Sequence, residues 1–435
     1  MNLPYQHRVS NNGRAMELAA IASKKPAGSE ILDMRHTSCC IVGGGPAGVF
    51  LALLLARKNI RVTLLEMHKD FEREFRGDTV HPSTLEILDE IGLAEPLHRL
   101  RHTKIYGPTI RAADGPFTPV DLRRLKTKFP YIMMMHQPIL LEFLTAEAAK
   151  YPHFRQVMGA NVTELTEANG AVRGVRYVAG DGRHEVQALL TVGADGRFSK
   201  VRQLAGFVPI RSAPPMDVLW FRLPRLPEDP QVANGAVGGV SRGHLLAVID
   251  RYDYWQAAYI IPKGQYQELR AAGLEALRRN IVEIDPRFTP HVKHLTDWHQ
   301  LSLLSVEASR CPRWYKPGLL LIGDAAHVMS PVGGVGINYA IQDAVVAANV
   351  LTAPLVAGCV DMRTLAEVQR QREWPTRFIQ TVQSFLQKRI VARVLRSPGP
   401  IRIPKYVRLF FRIPFLRDLG PRMMALGIKR VHVRN

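Results

Sequence analysis

The chain has 435 residues, 46% of them hydrophobic, and sets 58 Lys and Arg against 38 Asp and Glu for a formal charge of +20. That size and apolar fraction exclude a disordered chain and allow two intimate domains with appendages. The charge is not a nucleic-acid signature, because it is local: thirteen Lys or Arg from 388 to 435 face one acid, Asp418, so twelve of the twenty net charges lie in the C-terminal tail.

The four cysteines have no metal-ligand spacing and form no disulfide framework, which suits a reducing cytoplasm; no metal is expected. No uninterrupted apolar run reaches the ~18 residues of a bilayer-spanning helix. Residues 1–36 are polar and mixed and read as a flexible extension, with Glu17, Glu30 and Asp33 counting against a transit peptide.

Residues 38–43 are expected to form a buried strand, 46–58 an apolar helix and 60–66 a second strand, a right-handed unit that opens a doubly wound sheet. Residues 82–92 follow as a helix with Pro near its start and Gly at its end. A strand at 131–135 runs into a helix at 138–150, and short strands follow near 154–159, 171–178 and 185–192. From about 210 to 305 the pattern alternates, with strands at 217–223, 244–250 and 254–262 and one amphipathic helix at 266–284. The chain then returns to its first domain at Leu319, with helices near 334–351 and 363–395. The fold class is α/β: a Rossmann-like domain over 37–209 and 311–396, an inserted mixed sheet over 210–310, and a helical basic tail over 397–435.

Three segments repeat the order strand, glycine turn, helix. In SCCIVGGGPAG, Gly43, Gly45 and Gly48 have the spacing that turns the backbone tightly, lets it approach a pyrophosphate and packs helix on strand, with Pro46 and Ala47 between them. Glu66 ends the second strand where an acid would hold ribose hydroxyls. TVGADGRFSKVR places Asp195 and Gly196 after the next such strand, although an Asp-Gly pair is also an ordinary turn. LLLIGDAAHVMSPVGGVGIN delivers Gly323 and Asp324 and then Gly333, Gly334 and Gly336, which would destabilise an ordinary helix start. His327 in that stretch reads as a packed histidine.

The three motifs together resemble the FAD-dependent aromatic hydroxylases, the flavoprotein monooxygenases typified by p-hydroxybenzoate hydroxylase, over about residues 37–355. The resemblance implies FAD as cofactor, NADPH or NADH as transient donor, and hydroxylation of a phenolic or polyketide- or quinone-like ring by dioxygen through a flavin hydroperoxide. It makes Gly43, Gly45, Pro46, Ala47, Gly48 and Glu66 the ADP site, and Arg76 and Gln137 contacts to the cofactor. Asp195 and Gly196 serve FAD and the nicotinamide donor, Gly323 and Asp324 the ribityl chain, and Gly333, Gly334, Gly336, Ile337 and Asn338 the flavin ring. Pro331 lines the reaction cavity, and with Arg76 is the closest to a catalytic residue. Substrate candidates are Trp220, Arg222, Tyr254, Trp255, Tyr259 and Met133; the competing reading is that these strand residues are sheet core.

A geranylgeranyl-reductase-like, non-oxygenating flavoenzyme uses the same fold. A flavin halogenase is less favoured, since QAAYIIP at 256–262 lacks the glycine and tryptophans of the halogenase segment GWxWxIP. The tail interleaves Phe, Leu, Ile and Met with arginines, so it reads either as a peripheral membrane contact through 397–435 or as a cap on the first domain. Substrate identity and oligomeric state stay open.

Overall fold

The computed structural model of the chain describes residues 30–434 apart from 73–77, 113, 231, 233, 242, 398, 400 and 401. Strand Ile31–Val42, helix Pro46–Arg57 and strand Val62–Glu66 open the fold. The helix is buried from Ala47 to Ala56, as an apolar run with no polar stripe requires. The two strands pair in parallel, Cys39 against Val62 through Val42 against Leu65. Strand Gly182–Gly193 lies parallel on the other side of the first, with Leu319–Leu321 beyond it and Phe154–Met158 beyond Val62–Glu66. All three glycine turns therefore leave the same edge of one parallel sheet.

The first strand begins at Ile31 rather than near residue 38. Its early residues follow Gly182–Gly193, which projects past the sheet as the arm of a meander with Ala171–Ala179 and Asn161–Ala168. Residues 31–36 are half-buried or exposed, so they lack the continuous apolar run that marks the buried part of the strand.

The inserted sheet runs Ser302–Leu304, Met216–Pro224, Tyr254–Pro262, His244–Asp250, Gly235–Ser241, Gly107–Ala112, Gly115–Phe117. The last two strands come from outside 210–310, and Gly107–Ala112 joins Gly235–Ser241 in parallel. One face of this sheet is covered by helix Leu274–Ile284. The single helix expected over 266–284 is two, Tyr266–Ala271 and Leu274–Ile284, because Gly273 adopts φ +87° between them.

Helix Gly336–Val356 packs on helix Pro46–Arg57, and Met362–Leu386 lies against it before a π-helical turn at Gln387–Val391. The segment 332–356 is long and apolar enough by composition to cross a bilayer, yet Ile341, Val345 and Leu351 are spent on the main core. Asn338, Gln342 and Asp343 break the run in sequence, which is why it did not stand out. At the C-terminus, helix Pro414–Leu426 inserts Ala425 and Leu426 among Ile105, Leu122, Ile132 and Met134. Asn349 Nδ2 donates to the His432 carbonyl at 2.8 Å and Val433 N to Glu90 Oε2 at 2.8 Å, so the end of the chain is fastened to the first domain.

Candidate active site

Backbone hydrogen bonds just past the strand ends join the three motifs. Gly43 N donates to Leu65 O at 2.7 Å, Ala194 N to Val42 O at 2.7 Å, and Ile322 N to Gly193 O at 3.0 Å. The glycines then divide by what a side chain would meet. A Cβ on Gly43, which sits at φ +109°, would lie 2.4 Å from Ala194 O, and one on Gly48 would lie 1.9 Å from Gly43 O. Those two are demanded by packing of the motifs on one another. A Cβ on Gly45, Gly196 or Gly336 would meet nothing within 4 Å. Gly45 and Gly336 stand at the N-termini of helices Pro46–Arg57 and Gly336–Val356, an arrangement that fits a dinucleotide whose pyrophosphate meets a helix start.

Glu66 is buried beside Gly44, with Oε2 accepting from Gly44 N at 2.7 Å and Oε1 from His68 N at 3.0 Å. Asp195 accepts from Ser199 Oγ at 2.5 Å and Val201 N at 2.9 Å, so its carboxylate caps the short helix that follows; burial pushes its pKa up against these bonds. Arg202, at the end of the same motif, donates to Ala325 O at 3.0 Å and Arg197 O at 2.8 Å, tying the second motif to the third. Asp324 is half-buried in the turn Gly323–Ala325, which approaches Ala47 so closely that a Cβ on Gly323 would lie 3.1 Å from the alanine methyl.

Beneath that turn sits a buried charge cluster that sequence reasoning missed. Asp343 accepts from Gly323 N at 3.0 Å and Arg372 Nε at 2.7 Å, and its Oδ2 lies 2.6 Å from His327 Nε2. Burial opposes its charge, but His327 and Arg372 hold its pKa below the usual carboxylate range. His327 also packs on Trp314, ring centroids 4.9 Å apart, which is the packed role its sequence position suggested. The cluster fixes the height of the turn that carries Asp324. Asp343 and Arg372 are 29 residues apart in sequence, beyond any motif spacing.

Pro331 leads into Gly333 at φ +81° and Gly334 at φ +62°, and Gly334 O accepts from Thr79 Oγ1 at 2.8 Å. Buried Ile337 and Asn338 begin the following helix, with Asn338 Oδ1 accepting from Thr84 Oγ1. Against the glycine turn stands the C-terminal helix: Met424 Sδ lies 3.5 Å from where a Gly333 Cβ would be, and Met424 O lies 3.0 Å from His81 Nδ1. His81 is fully buried, and burial lowers its pKa to about 4 against the opposing hydrogen bonds.

Strand alternation sorts the substrate candidates. Trp255 and Tyr259 share a core with Leu219, Phe221, Leu277 and Ile281, on the face under helix Leu274–Ile284. Their polar ends are engaged there, Trp255 Nε1 with Asp229 at 2.7 Å and Tyr259 Oη with Asn280 at 3.2 Å. Met133 is fully buried in the core of the first domain. These three are packing residues. Trp220 lies on the opposite face, which packs against Val332 of the third motif.

On that same side Arg222 sits over the Tyr254 ring, 4.9 Å from its centroid, and Tyr254 Oη is 3.0 Å from His136 Nε2. Arg251 pairs with Asp78 at 3.0 Å, and Gln137 N donates to Asp78 Oδ1 at 3.1 Å. Burial raises the Asp78 pKa against the pull of Arg251, and burial with the Arg251 charge lowers that of His136. Gln256, paired in register with Arg222, is buried with Oε1 unpartnered, as is Arg251 Nη1. Orphaned buried polar atoms of this kind call for a ligand or water. Gln256 was missed because a lone strand glutamine carries no signal until its face is known. Arg76 lies outside the described residues.

The family described as "FAD binding domain" matches residues 36–373 of this chain. The chain is 35% identical over 405 residues to 6-methylpretetramide 4-monooxygenase of Streptomyces rimosus, covering 93% of this chain and 95% of that protein. Among solved structures it resembles P. aeruginosa PqsL in complex with 2-aminobenzoylacetate, with TM-score 0.72 at 22% identity over 83% of this chain and 98% of that one. It also resembles the flavin-dependent brominase Bmp2, with TM-score 0.74 at 16% identity over 91% and 94% of the two chains. A likeness at that identity shows the fold alone.

Proposed function

We propose, from the premise that this chain belongs to the FAD binding domain family and is an FAD-dependent monooxygenase acting on aromatic compounds, that its substrate is a multi-ring phenol of the polyketide type. The reading is supported by near end-to-end similarity to a relative whose name specifies 6-methylpretetramide as substrate. The observation that carries it is the buried polar face at the junction of the two domains, where Gln256 and Arg251 keep unpartnered atoms.

The residues fit the cofactor at both ends. Gly45, Pro46 and the backbone to Gly48 would receive the pyrophosphate, with Glu66 at the ribose; Gly196 borders the cleft, and Gly323 and Asp324 would meet the ribityl chain. Pro331 and the backbone from Gly333 to Asn338 would cradle the ring. Bound FAD supplies the electron transfer and oxygen activation. The chain's own part is to orient the phenol, exclude water and manage one proton.

Arg222 beside Tyr254 favours a phenolate near it, and His136, held neutral by burial and by Arg251, is placed to receive the phenolic proton through the Tyr254 hydroxyl. Gln256 Oε1 is positioned to accept from a second substrate hydroxyl. Residues 414–434 act as a cap that closes the cavity beside Gly333, the reading their packing supports over a membrane anchor.

The test is a panel of single-ring and fused-ring phenols added to FAD-loaded protein, following nicotinamide oxidation. Fused-ring phenols should stimulate it at least about tenfold more than single-ring ones. Equal stimulation by single-ring phenols would overturn the substrate class.

A further inference from the structure

On the far side of the Pro331 loop lies a groove of ≈ 560 Å³ between Ile210–Pro215, Ala308–Arg310 and the helix that continues into the π-helical turn. Its floor is Ser330, buried and held by two glutamines of that helix. Gln383 Nε2 donates to the carbonyls of Ser330 at 3.0 Å and Val332 at 2.7 Å, and Gln387 Nε2 donates to Ser330 Oγ. Ser330 thus joins the groove to the loop that carries Pro331.

The lining is one-signed. Arg211, Arg310, Arg377, Lys388 and Arg389 line it, and among the described residues no Asp or Glu does. Arg211 and Arg377 have distant partners at the rim, Glu307 at 3.5 Å and Glu373 at 3.9 Å. Arg310 keeps a buried Nε without a partner while Nη1 reaches Gln380 Oε1 at 3.3 Å. An adjoining depression adds Arg393 and Arg396. Among these cations Phe385 presents its ring, 61% exposed.

Like charges gathered with acids only at the rim repel one another, and an exposed aromatic ring among them gains nothing from water. One ligand chemistry answers both features: a planar base that stacks on an aromatic face and phosphates that take charge-assisted hydrogen bonds from Arg and Lys. The nicotinamide donor has this chemistry at its adenosine end. We propose that the groove binds the phosphorylated adenosine of that donor, with the base at Phe385 and the 2′-phosphate among Arg310, Lys388 and Arg389, and that the enzyme therefore selects NADPH over NADH. This rests on the monooxygenase reading above.

The probe is 2′,5′-ADP, titrated by calorimetry into FAD-loaded protein beside 5′-ADP. The wild-type protein should bind 2′,5′-ADP about tenfold more tightly than 5′-ADP. Lys388→Glu with Arg389→Glu should weaken 2′,5′-ADP by at least about tenfold and leave the bound-FAD absorbance unchanged. Phe385→Ala should weaken both nucleotides alike, by up to about tenfold. Should the double charge reversal fail to fold, Arg389→Gln reads the same quantity, with a loss of about threefold expected.

Equal wild-type affinity for the two nucleotides, or full 2′,5′-ADP affinity in the charge variants, would overturn the proposal. So would charge variants that lose only binding to anionic phospholipid vesicles. Failure of the functional reading looks different: the wild-type holoenzyme would then oxidise neither nicotinamide when given any phenol.

Discussion

The inserted sheet is covered on both faces, and the two coverings differ in kind. Under helix Leu274–Ile284 the aromatic side chains Phe221, Trp255 and Tyr259 are locked among Leu219, Leu277 and Ile281, and the indole and phenol have protein partners. Toward the first domain the same strands present Trp220, Arg222, Tyr254 and Gln256, where an ion pair, a lowered histidine and unpartnered buried atoms meet. On the first face the polar ends of the indole and phenol are engaged by protein, while on the other Gln256 Oε1 and Arg251 Nη1 have no protein partner. Burial alone therefore does not separate core from site; the character of the side chains does, apolar and aromatic on one face and charged or polar on the other.

Substitutions on the two faces should part company most sharply at Phe221. Phe221→Ala on the face under helix Leu274–Ile284 should cost about 3–5 kcal/mol of stability, read by denaturant unfolding of the FAD-loaded protein. A loss below about 1 kcal/mol would mean that this face is not core. On the other face, Gln256→Leu removes a buried acceptor that has no partner, so stability should hold or rise by about 1 kcal/mol. Phenol-stimulated turnover should nevertheless fall at least about tenfold, and parallel losses of stability and turnover would erase the distinction.

A pH titration sharpens the contrast from the cap side. The His81 pKa is lowered from 6.5 to about 4, so between those values the folded chain holds the ring neutral while the unfolded chain binds the proton. The stability it contributes is complete above pH 6.5 and is lost as pH falls toward 4, by up to about 3 kcal/mol. Hydrogen exchange across 414–427 should accelerate over that window while helix Leu274–Ile284 stays protected; uniform acceleration would remove His81 from the account. The smallest effect belongs to Tyr254→Phe, which removes one hydroxyl bonded to His136 and should change stability by about 1 kcal/mol or less. It should slow turnover mainly at low pH, where less of the phenol ionises unaided.

What sequence made legible was whatever the backbone enforces locally. Gly43 and Gly48 are glycines because a Cβ would strike a carbonyl, and that necessity writes itself into spacing. The sheet strands 216–224, 244–250 and 254–262 were readable from alternation, but not which parity faced the cavity. That parity follows from helix Leu274–Ile284 packing on 219, 221, 255 and 259, a tertiary fact. The same limit hid Asp343 and Arg372, whose partners lie on other elements. It also hid the hairpin Gly107–Phe117, which completes a sheet more than a hundred residues away in sequence. The tail's cap role lay beyond composition, because Arg408 meets Asp114 and Val433 meets Glu90 only once the chain has folded back.

Oxygen insertion into an aromatic ring at the face of Arg222, Tyr254 and Gln256 is the reaction on which these roles depend. It is tested most directly by giving the FAD-loaded enzyme NADPH and a fused-ring phenol under ¹⁸O₂ and weighing the product. The product should be heavier by one ¹⁸O atom, and nicotinamide oxidation should stop when oxygen is withheld. An unlabelled product, or turnover that continues without oxygen, would contradict it.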